Sequence, residues 1–237
     1  MLEMLRCAEL EIVGRLVEAS NITLYGRLRS PGGSGLPLGG VSCVYKPVRG
    51  ERPLWDFPRG TLSRREVAAF ILSEATGWEI VPPTVWRDGP FGPGMVQLWI
   101  DADESVDLLT LVRGSDPALR RMALYDAVAN NADRKGGHLL PVAGGHVYGV
   151  DHGICFHREP KLRTILWGWR GTSLSAGERS VLLDLRTGLG GDLGDSLSEL
   201  LADDEVTATR QRLDELLEDG CFPEPDPDRP AIPWPPF

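Results

Sequence analysis

The sequence predicts an α+β fold in two lobes, strand-rich first and mainly helical after. Three observations carry that expectation. The first 50 residues fall into short β-branched runs separated by turn-prone residues. Beyond residue 115 the chain is dominated by apolar-periodic segments with capping residues at their ends. At 237 residues, 42% of them apolar and 25% charged, the chain can bury a substantial core and is too apolar for disorder.

The elements follow in order. "LEIVGRLVEA" and "ITLYGRL" read as strands, with Ser20-Asn21 as the turn between them. "SPGGSGLPLGG", residues 30–40, holds five glycines and two prolines and reads as a flexible loop. "GVSCVYKP" is a further strand, stopped by Pro47. "TLSRREVAAFILSEATG" is a helix with Ser63 and Glu66 at capping-box spacing, an apolar face of Val67, Phe70, Ile71 and Ala75, and Gly77 as its stop. "MVQLWI", residues 95–100, is a buried strand or strand-like connector, and the acidic "DADESVD" after it suits a lobe boundary. "SDPALRRMALYDAVANN" is a helix capped by Asp116 with Pro117 in its first turn. "SAGERSVLLDLRTG", with a Ser175/Glu178 box, and "DDEVTATRQRLDELLEDG", ending at Gly220, are two more. The last 16 residues carry seven prolines and read as an extended tail. The expected division is residues 1–100, 101–221 and a tail at 222–237.

Bulk properties narrow the function. A net charge of −9 and a pI near 5.0 argue against a broad nucleic-acid footprint. Cys7, Cys43, Cys155 and Cys221 form no close CxxC pair. The N-terminal "MLEMLRCAELEIVGRL" carries Glu3 and Glu9 and lacks the apolar core of a secretory signal. No run approaches the roughly 20 apolar residues that span a bilayer. The expectation is a cytoplasmic protein with reduced thiols and no transmembrane segment.

Residues 128–156, "VANNADRKGGHLLPVAGGHVYGVDHGICF", concentrate the polar chemistry. "HLLPVA" and "HVYGVD" flank Gly144-Gly145, the signature of a two-residue hairpin turn. That turn pairs Ala143 with His146 and sets His138 opposite Asp151, their α-carbons about 4.5–5.5 Å apart. Asp133 lies in the loop before the hairpin, where a carboxylate can orient or deprotonate a hydroxyl. Asp151 at the open end suits a hard cation such as Mg²⁺. A plain structural role fits the same residues: Asn130 and Asn131 as helix caps, Asp133 in a turn, His138 and Asp151 as a strand-end ion pair.

"ADRKGGH" followed by "GVDHGICF" resembles the catalytic and metal-binding loops of the phosphatidylinositol 3-/4-kinase-like superfamily, in which Asp-Arg-His-Asn-x-Asn leads through a short hairpin to Asp-Phe-Gly. Asp133-Arg134 matches Asp-Arg, His138 falls at the metal-binding Asn, and Asp151-His152-Gly153 matches Asp-Phe-Gly. Bacterial serine kinases of the persistence-toxin type have a comparable pattern, and the chain is similar to a family of small actinobacterial kinase-like proteins. The likeness covers roughly residues 10–170. It implies a two-lobed protein-kinase-like fold and an ATP-dependent phosphotransferase. Catalytic roles fall on Asp133 and Arg134. ATP contacts fall on Ser20 and Asn21 in the phosphate-loop turn, on Lys46 and its helix partner Glu66, and on Gln97, Leu98 and Trp99 at the hinge. Mg²⁺ or Mn²⁺ falls to His138 and Asp151. The acceptor is a hydroxyl on a protein or small molecule, ahead of a lipid. Glu66 has a rival use as the capping-box acid, Lys46 as a solvated strand-end lysine, and Ser20-Asn21 as a simple turn.

Two positions depart from the pattern. His138 replaces Asn, and an imidazole suits Mn²⁺, Zn²⁺ or Fe²⁺ better than Mg²⁺. Lys135 replaces the His after Asp-Arg. A nucleotide-binding pseudokinase is therefore one alternative. A transition-metal site drawn from His138, His146, His152, Cys155 and His157 is another. After the metal loop, "CFHREPKLRTILWGWRG" gathers Arg158, Lys161, Arg163 and Arg170 beside Trp167 and Trp169. That cluster suits an anionic acceptor or a membrane surface. It equally suits tryptophans packed in a core with solvated basic groups around them.

Overall fold

Residues 1–17, 20–29 and 40–237 are described by the computed structural model. The glycine-rich loop expected at 30–40 lies outside the described residues, apart from Gly40. Five antiparallel strands form the N-terminal sheet: β1 Glu9–Leu16, β2 Thr23–Arg29, β3 Val41–Pro47, β4 Thr84–Gly89 and β5 Gly92–Leu98, in the spatial order β1-β2-β3-β5-β4. Side chains alternate faces along a strand. In β3, Cys43 and Tyr45 are fully buried in a small core with Leu10, Leu28 and Val96. A short helix, α1 (Leu2–Cys7), covers that core through Leu5. Alternation then turns Lys46 to the opposite face, towards the rest of the molecule. At six residues, α1 is too short to show periodicity in the sequence.

Helix α2 (Leu62–Thr76) lies between the sheet and the helical lobe, buried on most of its sides. The expected apolar stripe is accordingly wider than four residues, and Ala75 is exposed. Gly77 ends the helix in the left-handed conformation. The expected Ser63/Glu66 capping box does not form. The N-cap position is Thr61, and the carboxylate of Glu51 accepts from the amides of Leu62 (3.2 Å) and Ser63 (2.8 Å). The Ser63 hydroxyl donates instead to the Lys46 carbonyl. A distant carboxylate has taken the orphan amides, which leaves Glu66 free for the cleft.

The C-terminal lobe holds α3 (Leu108–Arg113), α4 (Pro117–Ala129), the hairpin β6 (Leu139–Pro141) and β7 (Val147–Gly149), then α5 (Ala176–Gly188), α6 (Asp192–Ser198) and α7 (Asp203–Asp219). Asp116 caps α4 and the Ser175/Glu178 box caps α5, as their spacing predicts. Leu72 of α2 joins Leu119, Met122, Leu182 and Leu213 in one large core. Among the described residues no helix is long and apolar enough to cross a membrane.

The hairpin register differs from the expected one. Leu139 pairs with Gly149 and Pro141 with Val147, and the Val142 amide donates to the His146 carbonyl. The loop is therefore Ala143-Gly144-Gly145, three residues rather than two, with both glycines at positive φ. His138 faces Val150, one residue short of Asp151: the Val150 amide donates to the His138 carbonyl. A third loop residue shifts a hairpin register by one, and Gly-Gly permits either loop.

The proline-rich tail is docked. Thr164 and the Trp167 indole both donate to the Ala231 carbonyl, Arg229 donates to the Pro160 carbonyl, and the Gly136 amide donates to the Pro236 carbonyl at 2.8 Å. Any Cβ at Gly136 would clash with the Phe237 ring, so glycine is required for this approach.

Candidate active site

Three charged side chains meet where the lobes face each other. Lys46 Nζ on β3 lies 2.5 Å from Glu66 Oε1 on α2 and 2.9 Å from Asp151 Oδ1 after β7. Glu66 Oε2 accepts from the His152 amide at 2.9 Å, so one carboxylate clamps both the lysine and the backbone beside Asp151. Asp151 sits at φ 62°, a left-handed conformation that aspartate tolerates better than most residues. Arg65 anchors α2 for this contact. It is fully buried, donating to the Cys155 carbonyl (2.7 Å) and to Glu205 on α7 (2.5 Å).

The electrostatics follow from the crowding. Burial alone would lower the Lys46 pKa, but Asp151 and Glu66 outweigh it and hold the ammonium above the usual lysine range. Lys46, opposed by burial, keeps the Asp151 carboxyl well below the usual carboxylate range. Burial, helped by Asp151, holds the Glu66 pKa above the usual carboxylate range, with Lys46 and the His152 amide offsetting it only in part. One cation thus serves two carboxylates, and the cluster carries a surplus negative charge.

His138 Nε2 lies 3.5 Å from Asp151 Oδ2. Burial lowers the His138 pKa, partly offset by Asp151, so the ring is neutral near pH 7. Its Nδ1 is buried without a hydrogen-bond partner among the described residues. A neutral imidazole and a carboxylate oxygen aimed at one spot fit a divalent cation that takes its remaining oxygen ligands from phosphates and water. The other three histidines and the cysteine of the alternative metal site are engaged elsewhere. His146 bonds the Glu79 carbonyl, His152 bonds Arg134, His157 bonds the Asp56 carbonyl, and burial holds Cys155 as a thiol. Among the described residues no three His, Cys, Asp or Glu side chains come together as a metal cluster.

Asp133 is half-buried in the loop after α4. Its amide donates to Asn131 Oδ1, and its carboxylate takes an ion pair from Lys135 at 3.1 Å. Arg134 does not reach the cleft. It is fully buried, bonds the equally buried Asp126 through Nε and Nη2, and donates to the Val150 carbonyl. Burial, with Arg134 nearby, keeps His152 neutral. Since guanidinium only donates, His152 Nε2 accepts its bond at 2.6 Å and the ring proton sits on Nδ1. Arg134 therefore ties α4, the Asp133 loop and the Asp151 strand together from behind. Asp126 and Arg65 were missing from the sequence expectation. A lone acid in the apolar run "ALYDAVA" was the signal for Asp126; nothing local marks Arg65.

The remaining candidates spread along the sheet. Leu24 pairs with Tyr45, so the Ser20-Asn21 turn lies at the Lys46 end. Asn21 Oδ1 is engaged by the Arg52 amide, and Ser20 is exposed. At the other end, the Gln97 side chain is buried and donates to Thr84, the Leu98 amide donates to the Pro83 carbonyl, and the Trp99 ring packs edge-on to Tyr25. Gln97 and Trp99 thus spend their side chains on the sheet, and the Trp99 amide donates to the Ser42 carbonyl. The basic and aromatic cluster at 158–170 is mostly neutralised. Lys161 pairs with Asp56, Arg158 with Asp204 and Arg170 with Glu224, while Trp169 is buried in the core.

A five-stranded antiparallel lobe over a helical lobe, with a strand lysine, a helix glutamate and a loop aspartate meeting between them, is a kinase-like fold. The chain is similar to the crystal structure of the Helicobacter pylori proinflammatory kinase CtkA, with a TM-score of 0.52 over 92% of this chain and 94% of that one. At 13% identity the likeness concerns the fold. No family model matches the sequence. In sequence the chain is 43% identical to Protein Rv2133c of Mycobacterium tuberculosis, covering 97% of this chain and 92% of the relative. It belongs to the Rv2133c family.

Proposed function

We propose that this protein is an ATP-dependent phosphotransferase of the phosphatidylinositol 3-/4-kinase-like superfamily, moving the γ-phosphoryl group of ATP to a hydroxyl on a protein or small molecule. The observation that carries the reading is the convergence of Lys46, Glu66 and Asp151, three residues far apart in sequence, on one cleft. Such enzymes work by positioning and by neutralising phosphate charge. Lys46 binds phosphate oxygens, and Glu66 holds Lys46. Leu98 lies three residues along β5 from the Met95 that pairs with Lys46, about 10 Å away at strand rise, a span suited to a nucleotide with its base at the hinge.

His138 and Asp151 would hold a divalent ion, which would supply neutralisation of charge on the transferring phosphate. Asp133 orients the acceptor hydroxyl and receives its proton as the new oxygen–phosphorus bond forms and ADP leaves. Arg134 is a positioning residue, because its side chain meets no reacting atom. A second reading, a nucleotide-binding protein without transfer, draws on Lys135, whose ion pair engages one Asp133 oxygen, and on His138 at the metal position.

The test is turnover of γ-labelled ATP with Mg²⁺ or Mn²⁺, for the wild type, Asp133→Ala and Asp151→Ala. Label release or transfer lost in both variants supports the enzyme. Nucleotide binding without turnover in the presence of candidate acceptors supports the second reading.

A further inference from the structure

A well-formed cavity lies outside the nucleotide cleft. It has a volume of about 690 Å³ and lies between the segment 154–167, α7, the tail and the loop 54–57. Asn130 and Ala132, flanking the Asp133 loop, form part of its wall. Its size is that of a cavity for a small organic ligand. Leu54, Phe57, Ile154, Leu162, Trp167 and Leu216 make most of its surface apolar. Trp55 stands at its edge, 93% exposed, with the cation of Lys161 over its ring. An exposed tryptophan beside an apolar cavity leaves a large surface that a ligand would cover.

The charges of the cavity are ordered by depth. Glu159, Glu215, Asp219, Glu224 and Asp226 are exposed and sit on the rim, with Arg229 paired to Asp226 among them. The half-buried charges are Asp56, Lys161, Arg163 and Arg212. Asp56 and Lys161 neutralise each other at 2.8 Å. Arg163 and Arg212 pair with no carboxylate among the described residues. Arg163 donates to the Ala132 carbonyl, and Arg212 to the Val128 and His157 carbonyls and the Thr209 hydroxyl. Burial lowers the Arg212 pKa to about 10. Two guanidinium groups hydrogen-bonded only to neutral oxygens thus line a largely apolar wall, with Glu215 and Glu205 acting on Arg212 only at longer range.

We propose that this cavity is a binding site for a small organic anion with an apolar body, the anionic group meeting Arg163 and Arg212 and the body lying against Trp55, Ile154 and Leu162. The site is separate from the nucleotide cleft and stands whether or not the protein transfers phosphate.

The test uses two fluorescent probes of like shape, the sulfonate 1-anilinonaphthalene-8-sulfonate and neutral N-phenyl-1-naphthylamine, titrated into the full chain. One sulfonate per chain is expected to bind, about tenfold tighter than the neutral probe, the scale of one charge-assisted hydrogen bond. Arg163→Gln should remove that tenfold preference. Leu162→Trp, which fills the cavity, should abolish binding of both probes. Millimolar inorganic sulfate should not displace the probe, because the apolar body supplies most of the binding. Equal affinity for the two probes, or no binding, overturns the proposal. If Leu162→Trp does not fold, Trp55→Ala decides: its ring is almost wholly exposed, so the fold is kept, and sulfonate affinity unchanged from wild type overturns the site.

Discussion

Two clusters of buried charge lie back to back in this molecule, and they are built on opposite plans. Behind the Asp133 loop, Arg134 and Asp126 are both wholly buried, one cation to one anion, and Arg134 donates further to the Val150 carbonyl and His152. In the cleft, Lys46 answers two carboxylates, one of which, Asp151, has a side chain half exposed. The first cluster is closed and balanced in charge, and it fixes geometry. The second is open and carries an unmatched negative charge, which is what a cation-bearing ligand requires. Surplus charge with exposure, rather than burial of charge as such, separates the candidate site from its support.

The comparison breaks most readily at the closed cluster. Asp126→Ala strands Arg134 without a counter-charge, and breaking such a pair costs about 3–5 kcal/mol. For a chain of this size that is a fall in melting temperature of roughly 10 °C, read by calorimetry, with nucleotide binding lost as the two loops shift. Asp151→Asn in the open cluster does the reverse. Asparagine tolerates the left-handed backbone and removes the surplus charge, so the melting temperature should move by no more than about 2 °C. Metal-dependent ATP turnover should fall by about 10²-fold or more, the scale of losing a preorganised electrostatic group.

Smaller effects sharpen the contrast. Gly136→Ala should displace Phe237 and cost about 1–3 kcal/mol, as overpacking does. Limited proteolysis should then cleave the tail faster, and in a Phe237→Ala background the same substitution should cost almost nothing. His138→Asn should lower the ratio of Mn²⁺- to Mg²⁺-supported activity, because it exchanges an imidazole for an amide oxygen. The Arg120–Glu178 pair lies between the two clusters in exposure. Burial would raise the Glu178 pKa, but its bonds from Arg120 and Ser175 outweigh burial and lower it. A lowered carboxylate pKa stabilises the fold above the unfolded value of about 4.3 and is lost as pH falls through the folded value. Glu178→Gln should therefore flatten the acid limb of the melting-temperature profile and cost under about 1 kcal/mol near neutral pH.

Much of this was legible from local pattern. The strand-then-helix order, the caps at Asp116 and Ser175 and the stops at Gly77 and Gly220 are local chemistry, and each stands where its spacing predicts. Long-range competition was not legible. Glu66 left its capping box because Glu51 supplied the cap, and Arg134, expected at the chemistry, turned inward because Asp126 sits one helix turn and a loop away. Neither outcome is visible without the fold. The hairpin slipped by one residue because Gly144-Gly145 permits both loop lengths, yet Asp151 still reaches His138 through its side chain.

The most direct test of the open cluster is calorimetric titration of ATP, with and without Mg²⁺, into the wild type, Asp151→Asn and Lys46→Met. One nucleotide per chain, bound more tightly with Mg²⁺ in the wild type, with that enhancement gone in Asp151→Asn and affinity reduced in Lys46→Met, is the expected result. A wild type that binds no nucleotide, or binding indifferent to both substitutions, contradicts the assignment of this cluster.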